Sequence, residues 1–303
     1  MSSHSFSAHT AEEDNRNESI KIYVNGELLP KEKAVVSVYD SGFMLGDGIW
    51  EGLRVYNGKI AFFDDHLDRL YDSAKVLDFD IGLTREEMVK AAYDTLAAND
   101  MTHDAHLRLM VTRGKKRKPF QDPKLSVYGA TTVIIAEHSK PSEKVKNDGM
   151  SLFTVHVVRG QSNSQDPKLN SHSKINCITA LTQAQKAGAD EALMLDPHGF
   201  VATCNSTNFF IVRKGEVWTS TSKYCMNGIT RQKVIDLCKA NDITVHETDF
   251  SLFEVYGAEE AFVTGTFAGQ TPVVKIDGRM VGDGTPGPVY QRISELYKAL
   301  ATK

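Results

Sequence analysis

The stretch NGITRQKVIDLCKA, residues 227–240, combines a glycine turn with the start of a helix. The first backbone N–H groups of a helix have no partner inside it, so Ile229 and Thr230 offer two donors to an anion. Thr230 adds a hydroxyl donor. Taken alone, the same pattern also fits an ordinary threonine-capped helix, so the anion site is one of two interpretations.

Strands and helices alternate on both sides of this helix. Apolar runs indicate strands, and apolar residues three and four apart indicate helices. We expect strands at 151–158, 191–195, 207–212 and 260–264, and helices at 175–187, 230–240 and 289–300. The second half of the chain is therefore expected to be an α+β domain.

The first half of the chain carries similar signals. A strand from residue 20 should end at the turn Asn25-Gly26. A helix at 65–77 would have Asp65 as its N-cap, and the capping box of Thr84 and Glu87 should open a second helix. Further strands are expected at 107–112 and 131–136.

These elements predict two α+β domains. We expect a disordered polar tail at 1–19, a small N-terminal domain at 20–139 and a large C-terminal domain at 150–303. Residues 140–149 are polar and lack periodicity, which is typical of a linker.

Composition narrows the class of protein. The chain has 303 residues, 41% of them hydrophobic, and a net charge of −4, which favours a globular protein that binds neither nucleic acid nor membrane. No signal-peptide pattern occurs near residue 1, so we expect a cytoplasmic protein. The four cysteines form no CxxC pair and the ten histidines no HExxH motif, so no metal is expected.

Two further groups could bind a phosphate. The stretch 264–269, Thr-Gly-Thr-Phe-Ala-Gly, follows a buried apolar strand, and its small residues would let backbone and hydroxyls approach a ligand. Arg69 lies on the first predicted helix, where a solvated charge is the alternative. With Thr230, these residues make three separate sources of phosphate donors.

With these features the chain resembles the fold-type IV pyridoxal-phosphate family. This family includes branched-chain aminotransferases, D-amino-acid transaminases, (R)-amine transaminases and aminodeoxychorismate lyase. The resemblance extends from about residue 22 to 300. The matching stretches are Tyr23-Val-Asn-Gly-Glu27, Gly46-Asp-Gly-Ile-Trp-Glu-Gly52, His66-Leu-Asp-Arg-Leu-Tyr-Asp-Ser-Ala74, Ala187-Gly-Ala-Asp-Glu-Ala192, Gly199-Phe-Val201, Asn208-Phe-Phe210, Gly228-Ile-Thr-Arg231, Thr264-Gly-Thr266 and Thr271-Pro-Val273.

The resemblance implies a two-domain α+β fold with a smaller N-terminal α/β domain, a larger barrel-like C-terminal domain, and a homodimer. It implies pyridoxal 5'-phosphate as the cofactor. Arg69 would bind the cofactor phosphate, which suits a dianion that needs a fixed cation and oriented N–H donors. The residues implied to complete the phosphate site are Gly228, Ile229, Thr230, Thr266 and Phe267.

Two positions depart from the family pattern. The Schiff-base lysine of the family lies about eighteen residues before the glycine that ends the next helix, and counting back from Gly188 reaches Asn170. An amide cannot form an imine. Lys174 is favoured as the replacement, because it would lie one helical turn further on the same face; Lys168 is the alternative, because it would share a strand face with position 170.

The second departure is Thr203, which stands where the family has a glutamate paired with the pyridine nitrogen. A carboxylate keeps that nitrogen protonated and makes the ring a strong electron sink. A hydroxyl would tolerate a neutral ring, so stabilisation of a carbanion should be weaker.

The substrate side is predicted from the same resemblance. Arg113 or Arg117, in the cationic loop 112–118, would present a guanidinium to a substrate carboxylate. The positions implied to line the substrate pocket are Trp50, Arg54, His106 and Arg108.

The favoured function is an aminotransferase that moves an amino group between an amino acid or amine and a 2-oxo acid, with Lys174 as the catalytic lysine. A lyase or eliminase of the same fold is the second hypothesis. A cofactor-binding protein without turnover is the third, because both altered positions are catalytic while the phosphate site is intact.

Overall fold

A computed structural model describes residues 7–303, and its contacts divide them into two units. The small unit contains residues 12–140 and 169–173. The large unit contains residues 7–11, 141–168 and 174–303. The chain therefore returns to the small unit for a single five-residue segment after the large unit has begun.

The small unit is a six-stranded sheet in the order β2-β1-β6-β5-β3-β4, with all pairs antiparallel. Its elements are β1 (Lys21–Val24), β2 (Glu27–Pro30), α1 (Ser41–Leu45), β3 (Gly48–Tyr56), β4 (Lys59–Ile60), α2 (Phe63–Val76), α3 (Arg85–Ala97), β5 (Ala105–Thr112) and β6 (Thr131–His138). Side chains alternate between the two sheet faces. Ile49, Leu53 and Val55 form part of the core with Leu67 and Leu70 of α2.

The large unit is built on a nine-stranded sheet in the order β12-β11-β10-β13-β14-β7-β8-β9, with β15 paired to β14. Its elements are α4 (Glu143–Asp148), β7 (Met150–Thr154), α5 (Ser162–Gln165), α6 (Ile175–Lys186), β8 (Glu191–Leu195), β9 (Val201–Cys204), β10 (Asn208–Arg213), β11 (Glu216–Thr219), α7 (Ile229–Ala240), β12 (Val245–Glu247), α8 (Leu252–Tyr256), β13 (Glu260–Gly265), β14 (Gly269–Ile276), β15 (Arg279–Met280) and α9 (Pro288–Ala301). Helices α7 and α9 pack on one face around Phe210 and Phe262.

Two element predictions agree closely with the structure. The side chain of Thr84 accepts from the backbone N–H of Glu87, and the Glu87 carboxylate accepts from the backbone N–H of Thr84, which completes the predicted capping box. The glycine after α6, Gly188, has a φ of 79°, the left-handed conformation expected there. Local polar residues were sufficient to place both helix ends.

The start of α2 differs from the expectation. The helix begins at Phe63 rather than at Asp65, and its N-cap Phe62 has a φ of 52° and makes no side-chain cap bond. Asp64 and Asp65 instead lie in the first turn, where their negative charge interacts favourably with the helix dipole.

The predicted tail and linker also differ. The disordered-tail prediction for 1–19 lies partly outside the described residues, but 14–19 form a capped 3-10 turn, in which Asn17 exchanges two 2.8 Å hydrogen bonds with the backbone of His138. The predicted linker 140–149 contains α4. This helix was missed because it has six residues and buries one, Val145, which is too short for a periodic pattern.

Within residues 7–303, no helix is both long and apolar enough to span a membrane, and no group of three or more potential metal ligands was found.

The start of α9 depends on a carboxylate from the neighbouring strand. Glu260 is 7% exposed and accepts from the backbone N–H groups of Val289 and Tyr290 at 3.0 and 2.7 Å. We predict that Glu260→Ala lowers the free energy of unfolding by about 2–3 kcal/mol, because two buried donors lose a charged acceptor. Urea denaturation followed by circular dichroism measures this loss.

The matched control is Glu295→Ala, which removes an exposed carboxylate from the same helix and should change stability by less than about 0.5 kcal/mol. Equal effects of the two substitutions would show that Glu260 does not cap α9.

Candidate active site

Four predicted substrate residues share one face of the small unit's sheet. Arg108 pairs with Gly52, and His106 with Arg54, across β3 and β5. The Arg108 guanidinium lies 3.9 Å from the centre of the Trp50 ring. A cation over an indole face is an attractive arrangement. The absence of a side chain at Gly52 leaves room, since a Cβ there would meet the His106 ring at 3.3 Å.

Arg54 differs from Arg108 in its environment. Its side chain is 2% exposed, it pairs with Asp104 at 3.2 Å, and it donates to the carbonyl of Ser139. Burial lowers the pKa of the Arg54 guanidinium, against the opposing effects of Tyr56 and Asp104. This guanidinium stabilises the small unit, whereas the Arg108 side chain is exposed on the sheet face.

Arg69 contacts the opposite face of the sheet. It donates to both oxygens of Glu51 at 2.8 and 2.6 Å, and His66 lies 2.6 Å from the same carboxylate. Glu51 follows Trp50 in β3, so the two side chains point to opposite faces. The structure therefore separates the predicted phosphate cation from the four predicted substrate residues.

The cationic loop provides one anchored arginine and one exposed arginine. Arg113 donates to the Asp47 carboxylate at 2.8 Å and to the carbonyls of Leu77 and Asp78 at 2.7 and 3.0 Å. It thus binds the carbonyls just past the end of α2, as basic residues commonly do. Arg117 is exposed, and nothing in its surroundings decides its predicted substrate role.

The segment around Asn170 lies along β3. The Asn170 carbonyl accepts from Trp50 N at 3.0 Å, its side-chain amide donates to the Trp50 carbonyl at 2.6 Å, and His172 N donates to Gly48 O at 2.8 Å. Asn170 is 3% exposed, and its Oδ1 has no hydrogen-bond partner among residues 7–303.

The replacement lysines do not have the geometry assumed from the sequence. Helix α6 begins at Ile175, with Lys174 as its N-cap at a φ of −117°, so residues 170–174 are not a helical turn. Lys168 is exposed and lies in a turn rather than a strand. The same-face arguments therefore do not hold for either lysine, and the assignment of Lys174 stays a prediction.

In the large unit, Asn208 connects the turn before α7 with strand β13, which leads into the loop of Thr266 and Phe267. Asn208 pairs with Thr264 in the sheet, and its amide donates to Met226 O at 3.0 Å, in the turn before α7. A Cβ on Gly228 would meet the Asn208 amide oxygen at 2.2 Å, so this position requires glycine. The Asn208 side chain therefore holds the turn before α7, while its backbone pairs with the strand that leads into the loop after β13.

Two threonines near Asn208 have different hydrogen bonding. Thr203 is 4% exposed and donates its hydroxyl to the Thr207 carbonyl at 2.7 Å. Thr264 is 2% exposed, and its hydroxyl has no partner among the described residues. Gly265, Thr266 and Phe267 follow it directly. An unpartnered buried hydroxyl beside a small-residue loop is a feature of a ligand site.

Comparison with known proteins connects this arrangement to a family. A family model described as "Amino-transferase class IV" matches residues 48–276. The chain belongs to this family. A putative branched-chain-amino-acid aminotransferase of Methanocaldococcus jannaschii is 39% identical over 285 residues, which cover 94% of this chain and 97% of the relative.

Two further relatives show the extent of the likeness. Branched-chain-amino-acid aminotransferase-like protein 2 of Arabidopsis thaliana is 42% identical over 94% of this chain, but the chain spans only 51% of that relative's length. The solved structure of a T.th. branched-chain amino acid aminotransferase with pyridoxamine 5'-phosphate has a TM-score of 0.88, with 31% identity over 94% of this chain and 95% of that one. The expected two-domain fold-type IV architecture is confirmed.

The two units differ in how well their residues suit the class IV cofactor. The N–H groups at the start of α7 and the free Thr264 hydroxyl are suited to a phosphate. The Asn170 amide, which is hydrogen-bonded to the Trp50 carbonyl, cannot form an imine with the cofactor's aldehyde. The Thr203 hydroxyl donates a hydrogen bond to the Thr207 carbonyl. The residues therefore fit the binding of the phosphate but not a covalent bond at position 170.

Two residues that hold predicted site residues in place were not predicted from the sequence: Glu51 in the small unit and Asn208 in the large unit. Glu51 had a usable signal, because an acid on the apolar face of a strand needs a cationic partner. Asn208 had none, because its role depends on a turn eighteen residues away in sequence.

Burial alone raises the pKa of Glu51, but the Arg69 charge and the hydrogen bonds from Arg69 and His66 outweigh it, so the pKa falls below the usual 4.5. A lowered carboxylate pKa stabilises the fold above the unfolded pKa, and this stability is lost as pH falls. We predict that Arg69→Ala costs about 3 kcal/mol of unfolding free energy at neutral pH, because a buried charge loses its partner.

Denaturation at pH 7 and pH 4 measures this effect, with exposed Lys75→Ala on α2 as the control. A cost no larger than that of Lys75→Ala would refute the structural role of Arg69. Any loss of cofactor affinity in Arg69→Ala must be measured where the variant remains folded.

Proposed function

We propose that the chain binds pyridoxal 5'-phosphate and transfers an amino group between an amino acid or amine and a 2-oxo acid. The single observation that supports this most is the large unit's phosphate site, in which Asn208 holds the start of α7 beside the loop after β13. Family membership supports the same activity. The names of the relatives include branched-chain and D-alanine aminotransferases.

The large unit would hold the phosphate. The backbone N–H groups of Ile229 and Thr230 begin a helix that has no side-chain cap, and a dianion would take the place of that cap. Thr264 could add its hydroxyl, and Thr266 and Phe267 their N–H groups. Pyridoxal phosphate, when bound, supplies an aldehyde for a primary amine and a ring that withdraws electrons.

We assign recognition of the substrate carboxylate to Arg108. Arg54 and Arg113 are bound to carboxylates and carbonyls of the chain itself, so neither has a free face for a substrate. Arg108 is exposed, and its stacking on Trp50 holds the guanidinium plane while leaving its edge available. An arginine fork matches the two oxygens of an amino acid or 2-oxo acid carboxylate.

Lys174 is the proposed amine for covalent attachment and proton transfer. It is half-buried at the N-terminus of α6, whereas Lys168 is exposed. A primary amine is required for both roles, and Asn170 cannot provide one.

A second candidate function is cofactor binding without turnover. The Asn170 amide and the engaged Thr203 hydroxyl both favour it, because binding of the phosphate requires neither residue. A lyase or eliminase of the same fold would require less delocalisation of a carbanion than amino transfer does.

We also propose that the protein is a cytoplasmic homodimer. In the small unit, the segment 34–45, which ends with α1, is joined to the loop 114–128 by the bond from Lys116 N to Tyr39 O at 2.9 Å. Val35, Phe43 and Phe120 on these two segments are 73%, 72% and 62% exposed, a concentration of apolar surface that favours burial against a second copy. The four cysteines are free, as is usual in a reducing compartment.

Reductive trapping tests the proposed function. We predict that borohydride reduction after incubation with pyridoxal phosphate fixes the cofactor on Lys174, as mapped by peptide mass spectrometry. Lys174→Ala should abolish both the adduct and the conversion of amino donors to 2-oxo acids, because both need a primary amine and Asn170 cannot replace it.

Lys168→Ala is the control and should retain the adduct. An adduct on Lys168 would assign the covalent bond to Lys168 instead of Lys174, and the proposed enzymatic activity would stand. Tight binding of pyridoxal phosphate without an adduct on either lysine would support the second candidate function.

A further inference from the structure

The first described residues fold back onto the large unit. Thr10 N donates to Ser7 O at 2.9 Å and Ser7 N donates to the Thr10 hydroxyl at 2.8 Å, which makes a closed turn. Ser142 N donates to Thr10 O at 3.1 Å. We call residues 7–11 the N-terminal strap. The bonds within the turn and the bond from Ser142 N hold this strap in place.

A buried carboxylate anchors this strap. Glu191 is 0% exposed, and it accepts from Ala8 N at 3.2 Å and from the Thr207 hydroxyl at 3.0 Å. Ala8 itself is 5% exposed. A buried carboxylate needs such donors, so Ala8 N–H is part of what stabilises Glu191 within the unit.

The strap covers a groove next to the proposed phosphate site. Thr207, Val263, Gly265, Phe267, Ala268 and Thr271 line this groove together with Ala8 and His9. The His9 ring stacks on Phe267 with their centres 6.1 Å apart and an angle of 18°. The strap therefore lies against the loop whose N–H groups are proposed to bind the cofactor.

We propose that the N-terminal strap closes this groove, and that it must open before a phosphate-bearing ligand reaches Thr266 and Phe267. The second half of the proposal rests on the proposed function, whereas the closure itself does not. The strap is held by its own turn, by the Glu191 carboxylate, by the bond from Ser142 N, by the His9 ring contact and by the packing of Ala8 in the large unit's core.

Hydration of Glu191 offsets part of the free energy that opening of the strap costs. The strap would lose the bond from Ala8 N–H, but Glu191 would gain contact with water, and hydration of a buried carboxylate is favourable. Burial raises the pKa of Glu191, which agrees with the energetic cost of keeping its charge enclosed. The free energy of opening is thus lower than the lost contacts alone would require.

Ala8→Pro tests closure, because proline has no N–H for Glu191. Ala8→Gly is the matched control: it keeps the N–H and removes a methyl. We expect hydrogen exchange in residues 263–271 to be about tenfold faster in Ala8→Pro, since a bond to a charged acceptor corresponds to about a factor of ten. Ala8→Gly should accelerate exchange by a smaller factor, because it keeps this bond and loses only a buried methyl. His9→Ala should accelerate exchange by a smaller factor.

Stopped-flow absorbance then tests gating, with pyridoxal 5'-phosphate as the probe. Association should be about tenfold faster in Ala8→Pro than in wild type. Unchanged hydrogen exchange in Ala8→Pro would contradict the proposal that the strap closes the groove. Faster exchange with an unchanged association rate would overturn its gating role. If the probe binds neither protein, the proposed function and the gating role fall, whereas the exchange result still decides closure.

Discussion

The pairing of residues 170–172 with β3 determines what chemistry this chain can perform. Asn170 is joined to Trp50 through a backbone bond and a side-chain bond, and His172 continues the pairing at Gly48. The segment is therefore held in the small unit by the same strand that carries Trp50, Glu51 and Arg54. A side chain at position 170 is fixed in place before any ligand binds, and here it is an amide.

The phosphate site of the large unit does not depend on that constraint. Asn208, Gly228 and Thr264 keep the start of α7 beside the loop after β13 through contacts within the large unit alone. Our proposal therefore treats affinity for a phosphate and the capacity for a covalent bond to an amine as separable properties. In our proposal, the strap over the Phe267 loop controls the access of a ligand to the phosphate site of the large unit.

The sequence was sufficient for the order of elements and for the family, because capping residues, turn glycines and apolar periodicity act locally. It placed the Thr84 capping box and the start of α7 close to where the structure has them. It could not reveal contacts between residues distant in sequence. Asp47 and the end of α2 bind Arg113, and Asp104 and Ser139 bind Arg54, whereas the substrate roles of both arginines stay predictions. The case for Lys174 assumed that the helix already includes Asn170. Helix α6 begins at Ile175, five residues after Asn170.

We propose that a lysine at position 170 would supply the covalent bond that the Asn170 amide cannot form, while the phosphate site of the large unit does not depend on this residue. Peptide mass spectrometry of the Asn170→Lys, Lys174→Ala double variant, reduced with borohydride in the presence of pyridoxal 5'-phosphate, tests this claim most directly. The account predicts a phosphopyridoxyl group on residue 170 of the double variant and no such group in Lys174→Ala alone. A folded variant that binds pyridoxal phosphate but is labelled elsewhere, or not at all, would contradict it.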